Sequence, residues 1–498
     1  MSASQQKKFR KDQQMEGVEQ LSPLQMQEVA AKKRRRIIVS SICIILAVLI
    51  VVTILFNSNL FYNKVAAVEI NDKTYTTAEF NYYYFSSYYT FCNTYGSYLS
   101  YMLDTTKPLD SQQYSEDMTW ADYFKDQAKT SITQVQMLCD AAEEAGFTLD
   151  EERSKAIDDT IDGLDEVAEE AGFSSVKKYL VAGYGKGMTV DIMRKCLTNY
   201  YLANAYYEEV YNGFSYSDEE LETYYTENAD NFDFIDYTYY LVSAEADDEG
   251  NVSEEAMAAA KETADTIVAD VDSLETFEAH VAAIGDDATA STTTAQGSKL
   301  NSSISEWLLD PSRVEGDTTT IEVKDSGCYA LYYSGRDNNH YNTVNVRHIL
   351  VQAEANEDGE YTDEALEAAK SSAEEIYAEW QAGDATEESF AELANEHSDD
   401  TGSNTNGGLY ENVYKNQMVE EFNNFCFAEG RKAGDTDIVY GSNSGYAGYH
   451  IIYFVGDGKL YSSYLAENDL RSKDVDSWSS ENLKDYKFST KSAYKFVG

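Results

Sequence analysis

The stretch Asn345–Glu354, NVRHILVQAE, sets a histidine between an arginine and three aliphatic residues. It reads as a buried β-strand, because a short, nearly continuous apolar run is the pattern of a strand with both faces covered. Only five histidines occur in the 498 residues. His348 has a plain reading, a core histidine satisfied by a local partner, and a sharper one, a member of a functional constellation. The rest of the chain separates them.

After this strand comes a helical pattern whose apolar positions are Leu366, Ala369, Ala373, Ile376, Tyr377 and Trp380, the period of one buried helix face. Subtracting 109 from each number gives Met257, Ala260, Ala264, Ile267, Val268 and Val271, and takes Leu350 and Val351 to Leu241 and Val242. Phe390 and Asp400 match Phe277 and Asp287 at an offset of 113, GDT at 434 matches GDT at 316, and AGYHIIYF matches SGCYALYY. These are two copies of one domain with loop insertions. Tyr239 and Tyr329 in the first copy stand where the second has His348 and His450. A purely structural histidine in one strand does not predict a second one lost in step with it, so the sharper reading gains.

The second copy, Asn342 to Gly456, resembles a parvulin-type peptidyl-prolyl isomerase. The resemblance rests on an ordered series: VRHILV at the start, then ESFAELANEHSDDTGS, the glycine pair 407–408, QMVEEF at 417–422 and the closing GYHIIYF. It implies a four-stranded antiparallel sheet wrapped by helices, with His348 and His450 hydrogen-bonded on neighbouring central strands beneath the site. It also implies catalytic roles for His348, Asp400 and His450, with Asp400 on a loop at the mouth of the site facing the substrate amide. Tyr410, Gln417, Met418 and Phe422 would bind substrate, Met418 and Phe422 from one helical face. Two departures bear on substrate preference and rate. Tyr410 followed by Glu411 replaces the family's usual leucine, and Ala447 replaces a frequent serine or threonine. No nucleophile is required, and no cysteine belongs to this group of residues.

Charge divides the chain. Nine of the 38 Lys/Arg and four of the 88 Asp/Glu fall in residues 1–36, a net of +5, which leaves 29 basic against 84 acidic residues for the remainder. Nucleic acid is excluded as a partner, since a polyanion requires a basic face. The two regimes meet at Ile37–Phe56, 20 residues without a charge, enough for a helix to cross roughly 30 Å of hydrocarbon. Lys32 to Arg36 directly precede it, so the positive-inside bias keeps the N-terminus cytoplasmic and exports the bulk of the chain. A cleaved signal peptide would have a shorter apolar core and a shorter leader.

The expected fold class is α+β, with a basic cytoplasmic tail 1–36, a transmembrane helix 37–56 and a helical domain 57–230. A degenerate parvulin-like domain 231–338, a parvulin domain 339–457 and a C-terminal segment 458–498 complete it. The last is either a helix returning to the N-terminal domain or a frayed tail. This layout resembles exported foldases of the PrsA and SurA type, which implies a membrane-anchored extracytoplasmic foldase acting on X-Pro bonds of newly exported polypeptides. A holdase that only binds peptides is the alternative. VAAVEINDKTYTTAEF should open the helical domain with a strand, a turn and a helix capped by Thr77. The stripe FNYYYFSSYYTF reads as core or an interhelical face, with an aromatic binding crevice as the second reading. Cys92, Cys139, Cys196, Cys328 and Cys426 are scattered without metal-ligand spacing, so neither metal nor cofactor is expected, and one disulfide is possible. Oligomeric state is left open.

Overall fold

A computed structural model describes residues 40–42, 44–47, 59–356 and 359–498. The basic tail and most of the apolar run 37–56 lie outside the described residues. Among the described residues no helix is long and apolar enough to cross a membrane. The described residues form two compact units, one made of those up to Gly213 together with Asp474–Gly498, the other Phe214–Lys473.

The first unit is mainly helical. Strands Ala66–Ile70 and Lys73–Thr76 form a hairpin about Asn71, whose φ is +50°, a conformation that asparagine tolerates well. The helix Thr77–Tyr95 follows. Its cap is Thr76 instead of the expected Thr77: the Thr76 hydroxyl accepts from the Glu79 N–H while the Glu79 carboxylate accepts from the Thr76 N–H, the reciprocal arrangement of a capping box. Phe80 and Tyr84 from this helix, Phe124, Ile132 and Leu138 from Trp120–Ala145, and Cys196 from Val190–Gly213 build one core. The C-terminal segment is not a frayed tail. Phe488–Thr490 pairs antiparallel with Ala66–Ile70 as the third strand of the N-terminal sheet, Val68 opposite Thr490, so the unit closes on residues from both ends of the sequence.

The second unit holds the repeat. In the first copy the strands are β1 (Phe234–Ser243), β2 (Ser291–Gln296), β3 (Thr318–Val323) and β4 (Gly327–Asp337), in the order β2-β1-β4-β3. In the second they are β5 (Asn342–Gln352), β6 (Leu409–Val413), β7 (Thr436–Ser442) and β8 (Ala447–Leu460), in the order β6-β5-β8-β7. Both sheets are antiparallel throughout and share one topology. The correspondence reaches single hydrogen bonds. Gly316 donates to the Tyr333 carbonyl (2.9 Å) and Tyr333 to that of Asp317 (2.8 Å); Gly434 donates to Phe454 (2.8 Å) and Phe454 to Asp435 (2.8 Å).

Helices α1 (Glu254–Val268) and α2 (Leu274–Ala282) cover one face of the first sheet, as α3 (Asp363–Ala382) and α4 (Glu387–His397) cover one face of the second. Their caps keep the sequence offsets: Ser253 and Thr362 are 109 apart, Ser273 and Thr386 are 113 apart. The copies differ in helix length, since α1 ends at Val268 and leaves Val271 in the following loop. On the other face of the second sheet, α5 (Glu420–Cys426) sets Phe422, Phe425 and Cys426 against Val344, Val346, Ile452 and Phe454.

The helix Asp218–Glu227 belongs to this second unit, not to the helical domain. The Tyr225 hydroxyl donates to Asp233 (2.6 Å), and the buried Asn339 amide donates to that hydroxyl (2.9 Å) and to the Phe232 carbonyl (3.0 Å). These bonds fasten the helix to the linker between the two copies. The five described cysteines are free, so the disulfide is not formed among them.

Candidate active site

Successive residues of a strand point to opposite faces, and β5 is buried on both. Ile349 and Val351 face α3 and α4, while Val344, Val346 and His348 face α5. In β8, His450 and Ile452 take the same side as His348. Register places His348 opposite Ile452 and His450 opposite Leu350, so the histidines are diagonal neighbours on one face of the two central strands. Their rings lie 5.4 Å apart, and the two Nδ1 atoms share a hydrogen bond of 3.2 Å. Each is 5 % exposed.

Asp400 reaches this pair through the edge of β5. Strand β6 pairs with β5 only from Leu409 opposite Arg347 toward Val344. Beyond that point the backbone groups of β5 need other partners, and the loop 398–408 supplies them. His348 N–H donates to the Gly408 carbonyl (2.8 Å), Leu350 N–H to the Ser398 hydroxyl (3.1 Å) and Gln352 N–H to the Asp399 carboxylate (2.8 Å), while the Leu350 carbonyl accepts from Asp399 N–H (2.8 Å). The glycine pair makes the approach possible. Gly408 has φ +68°, and a Cβ there would lie 2.2 Å from the His348 carbonyl oxygen. On the opposite face Arg347 clamps the loop, donating to Glu387 (2.9 Å) and to the carbonyls of Asn406 (3.1 Å) and Gly407 (3.0 Å).

The result is a continuous chain of side chains. Tyr446 OH meets His450 Nε2 at 2.9 Å, His450 Nδ1 meets His348 Nδ1, and His348 Nε2 meets Asp400 Oδ2 at 2.8 Å. That same oxygen accepts from Tyr410 OH (3.0 Å) and from Ser403, and Gly402 N–H donates to Oδ1 (3.1 Å). These bonds, the one from His348 foremost, hold the Asp400 carboxyl well below the usual carboxylate range. Burial first and His348 second pull His450 down to about 3. Burial and the Asp400 carboxylate push Tyr410 up to about 12. At neutral pH Asp400 is therefore an anion, and His450 and Tyr410 are uncharged. An anionic Asp400 only accepts, so His348 Nε2 carries a proton.

Above this chain sits an apolar wall. The Phe422 ring packs edge-on against His348 (5.6 Å) and His450 (5.4 Å). Met418, Val419, Tyr410 and Val439 pack against the same cluster, each partly exposed. The structure thus brings together His348, His450, Asp400, Tyr410, Met418 and Phe422. One expectation changes. Met418 does not share a helix face with Phe422, because α5 begins at Glu420 and Met418 lies in the turn before it. Gln417 is exposed and shapes that turn, its side-chain oxygen accepting from Tyr414 N–H (3.0 Å). Asp400 lies on the loop 398–408, partly exposed, and bonds directly to His348. Sequence reasoning missed Ser403 and Tyr446. Tyr446 carried a signal, four residues before His450 at the entrance to β8; Ser403 carried none within its polar loop.

The first copy repeats the geometry without the histidines. Tyr239 stands opposite Leu331 and Tyr329 opposite Leu241, the register of His348 and His450, with rings 5.7 Å apart. Two tyrosines have no imidazole to couple to a carboxylate, and Asp287 is exposed.

Residues 329–456 match the family model of the PPIC-type PPIase domain. No curated protein matches the chain. Among solved structures, a peptidylprolyl isomerase (PrsA) from Bacillus anthracis is 24 % identical over 29 % of this chain and 59 % of its own, TM-score 0.18. PrsA from Bacillus subtilis is 12 % identical over 74 % and 88 %, TM-score 0.29. A structure of SurA-like chaperones from Campylobacter jejuni is 12 % identical over 55 % and 82 %, TM-score 0.17. The chain spans 59 % and 50 % of the lengths of the Bacillus anthracis and Bacillus cereus proteins it matches. The assignment is carried by the family model together with the paired histidines: residues 329–456 are a parvulin, a PPIC-type peptidyl-prolyl cis-trans isomerase domain within a longer chain.

Proposed function

We propose that the chain is a membrane-anchored extracytoplasmic foldase that isomerises X-Pro bonds in newly exported polypeptides. The observation that carries the chemistry is the hydrogen-bonded chain Tyr446–His450–His348–Asp400 lying directly beneath Phe422. Rotation about an X-Pro amide meets a barrier of about 18 to 20 kcal/mol because twisting breaks resonance. Lowering it requires that the twisted amide be favoured over both planar forms, and no covalent step is needed. Met418, Val419 and Val439, partly exposed against the buried Phe422, offer an apolar seat for the proline ring. The locked imidazoles and Asp400 form a fixed dipolar floor that needs no reorganisation as the amide charge redistributes. His450 and Tyr410 stay uncharged across physiological pH.

Support for location is the charge step at Lys32–Arg36 ahead of the uncharged run 37–56. The anchoring and the exported clients rest on that reading. Acceleration of cis-trans exchange on a short X-Pro peptide, followed by NMR without a coupled protease, tests the activity in the full chain. Protease added outside intact cells should leave only a small membrane-embedded stub, and full protection would reverse the orientation. A binding-only holdase is favoured by one feature, the Tyr410 hydroxyl bonded to Asp400 where relatives present an apolar wall. Peptide binding without acceleration would establish that reading.

A further inference from the structure

Tyr410 stands on β6 where the family's usual leucine supplies only an apolar wall. Its ring keeps that wall, packing edge-on against His348 at 5.1 Å and against the cluster that holds Phe422, Met418 and Val439. What it adds is a hydroxyl, which donates to Asp400 Oδ2 at 3.0 Å. That oxygen also accepts from His348 Nε2 at 2.8 Å and from Ser403 Oγ. A carboxylate oxygen offers about two lone pairs, so three donors oversubscribe it. The tyrosine bond is the longest of the three.

Exposure separates the donors. His348 and Ser403 are buried, 5 % and 1 % exposed, whereas Tyr410 is partly exposed, and so is Asp400 itself. Of the side chains on that oxygen, Tyr410 is therefore the one an arriving ligand reaches. Its departure leaves Asp400 held by His348, Ser403 and the Gly402 N–H, so the carboxylate keeps its partners. Burial foremost, then the bond to Asp400, pushes the phenol up to about 12, and the hydroxyl keeps its proton at neutral pH.

The reaction has use for such a donor at one atom. Twisting an X-Pro amide breaks the resonance that draws the nitrogen lone pair toward the carbonyl, so the nitrogen regains an acceptor lone pair while the oxygen loses negative charge. A donor on the oxygen favours the planar forms, and a donor on the nitrogen favours the twisted one. Only the second lowers the barrier. We propose that Tyr410 is a catalytic residue whose hydroxyl leaves Asp400 and donates to the prolyl nitrogen of the twisted amide. The inference rests on the isomerase reading of this site, with the proline ring seated on the same cluster against which the Tyr410 ring packs. No proton is transferred and no covalent bond is made or broken. The hydroxyl exchanges an oversubscribed acceptor for one that exists only in the twisted state. In a protein that merely held peptides it would stay on Asp400.

The test compares proline with 4,4-difluoroproline in one short X-Pro peptide, each catalysed rate being divided by the uncatalysed rate of the same peptide. Fluorine withdraws electrons and makes the nitrogen a poorer acceptor, so a hydrogen bond to it contributes less. NMR exchange with the full chain should place Tyr410→Phe about tenfold below the parent in kcat/KM on proline, with the loss in kcat and KM unchanged. On difluoroproline the two proteins should agree within about threefold. Tyr410→Leu, which restores the wall without the hydroxyl, should match Tyr410→Phe. A hydroxyl that only supports the fold would cost the same factor on both peptides, and that result overturns the proposal, as does a loss confined to KM or either variant as fast as the parent on proline. A parent chain that binds the peptide without accelerating exchange overturns the isomerase reading and this inference together, so the two failures are told apart.

Discussion

His348 and His450 join through their Nδ1 atoms at 3.2 Å although 102 residues separate them. That single bond couples Asp400, which accepts from the ring of His348, to Tyr446, which meets the ring of His450. The histidine pair is a buried polar pair that the fold must satisfy, and in the proposed function it is also the floor of the active site, so that reading couples stability to activity.

Replacing His348 with leucine leaves His450 Nδ1 and the Asp400 carboxylate each short of a partner. His348→Leu should cost about 1 to 3 kcal/mol of stability and reduce isomerisation of a test peptide to background. Thermal melting and NMR exchange read the two effects. Because Tyr239 and Tyr329 fill the equivalent register in the first copy, no residual turnover should remain, and a substantial rate in this variant would locate catalysis there.

Asp400 stands on the loop 398–408, and its carboxylate ties that loop to the sheet. With three donors on one of its oxygens and a loop organised around it, Asp400→Ala should lower both turnover and melting temperature. Tyr410→Phe removes only one of those donors and should cost about 1 kcal/mol, with a smaller loss of rate. An Asp400→Ala protein that melts like the parent would show that the network contributes nothing to stability.

Acid should weaken the second unit in two stages. His450 has a folded value near 3 against about 6.5 unfolded, so the unfolded chain binds the extra proton and stability falls as pH drops from about 6.5 toward 3. Asp400, whose folded value is depressed, contributes stability that is present above about 3.9 and is lost as pH falls below it. Urea midpoints at pH 7 and pH 4.5 should therefore differ more in the parent than in His450→Gln, which cannot titrate.

Gly441 lies on β7 beside the site. A Cβ there would stand 2.7 Å from His450 Nε2 and 2.9 Å from Val419 Cγ2, closer than real contacts allow. Gly441→Ala should push the imidazole off Tyr446 and cut turnover at least tenfold, by about 1.4 kcal/mol or more. Gly430→Ala is no control, since its φ is +81°; Gly213→Ala, with nothing within 4 Å of the added carbon, should leave the rate unchanged.

Much of the second unit was legible in the sequence because it is written in local periods. The nearly continuous apolar run along NVRHILVQ, the helical spacing from Leu366 to Trp380 and the offsets between copies are properties of neighbouring residues, and they determined this strand, its helix, the duplication and the two positions at which only the second copy has histidine. What only tertiary structure decided depends on residues meeting across long separations. The loop 398–408 takes the free edge of β5 because those backbone groups have no other partner, and this carries Asp400 onto His348. The turn before α5 leaves Met418 off the helix, since the helix starts only at Glu420. Phe488–Thr490 completes a sheet begun at Ala66 because an unpaired strand edge there needed a partner, and no pattern within either segment specifies the other.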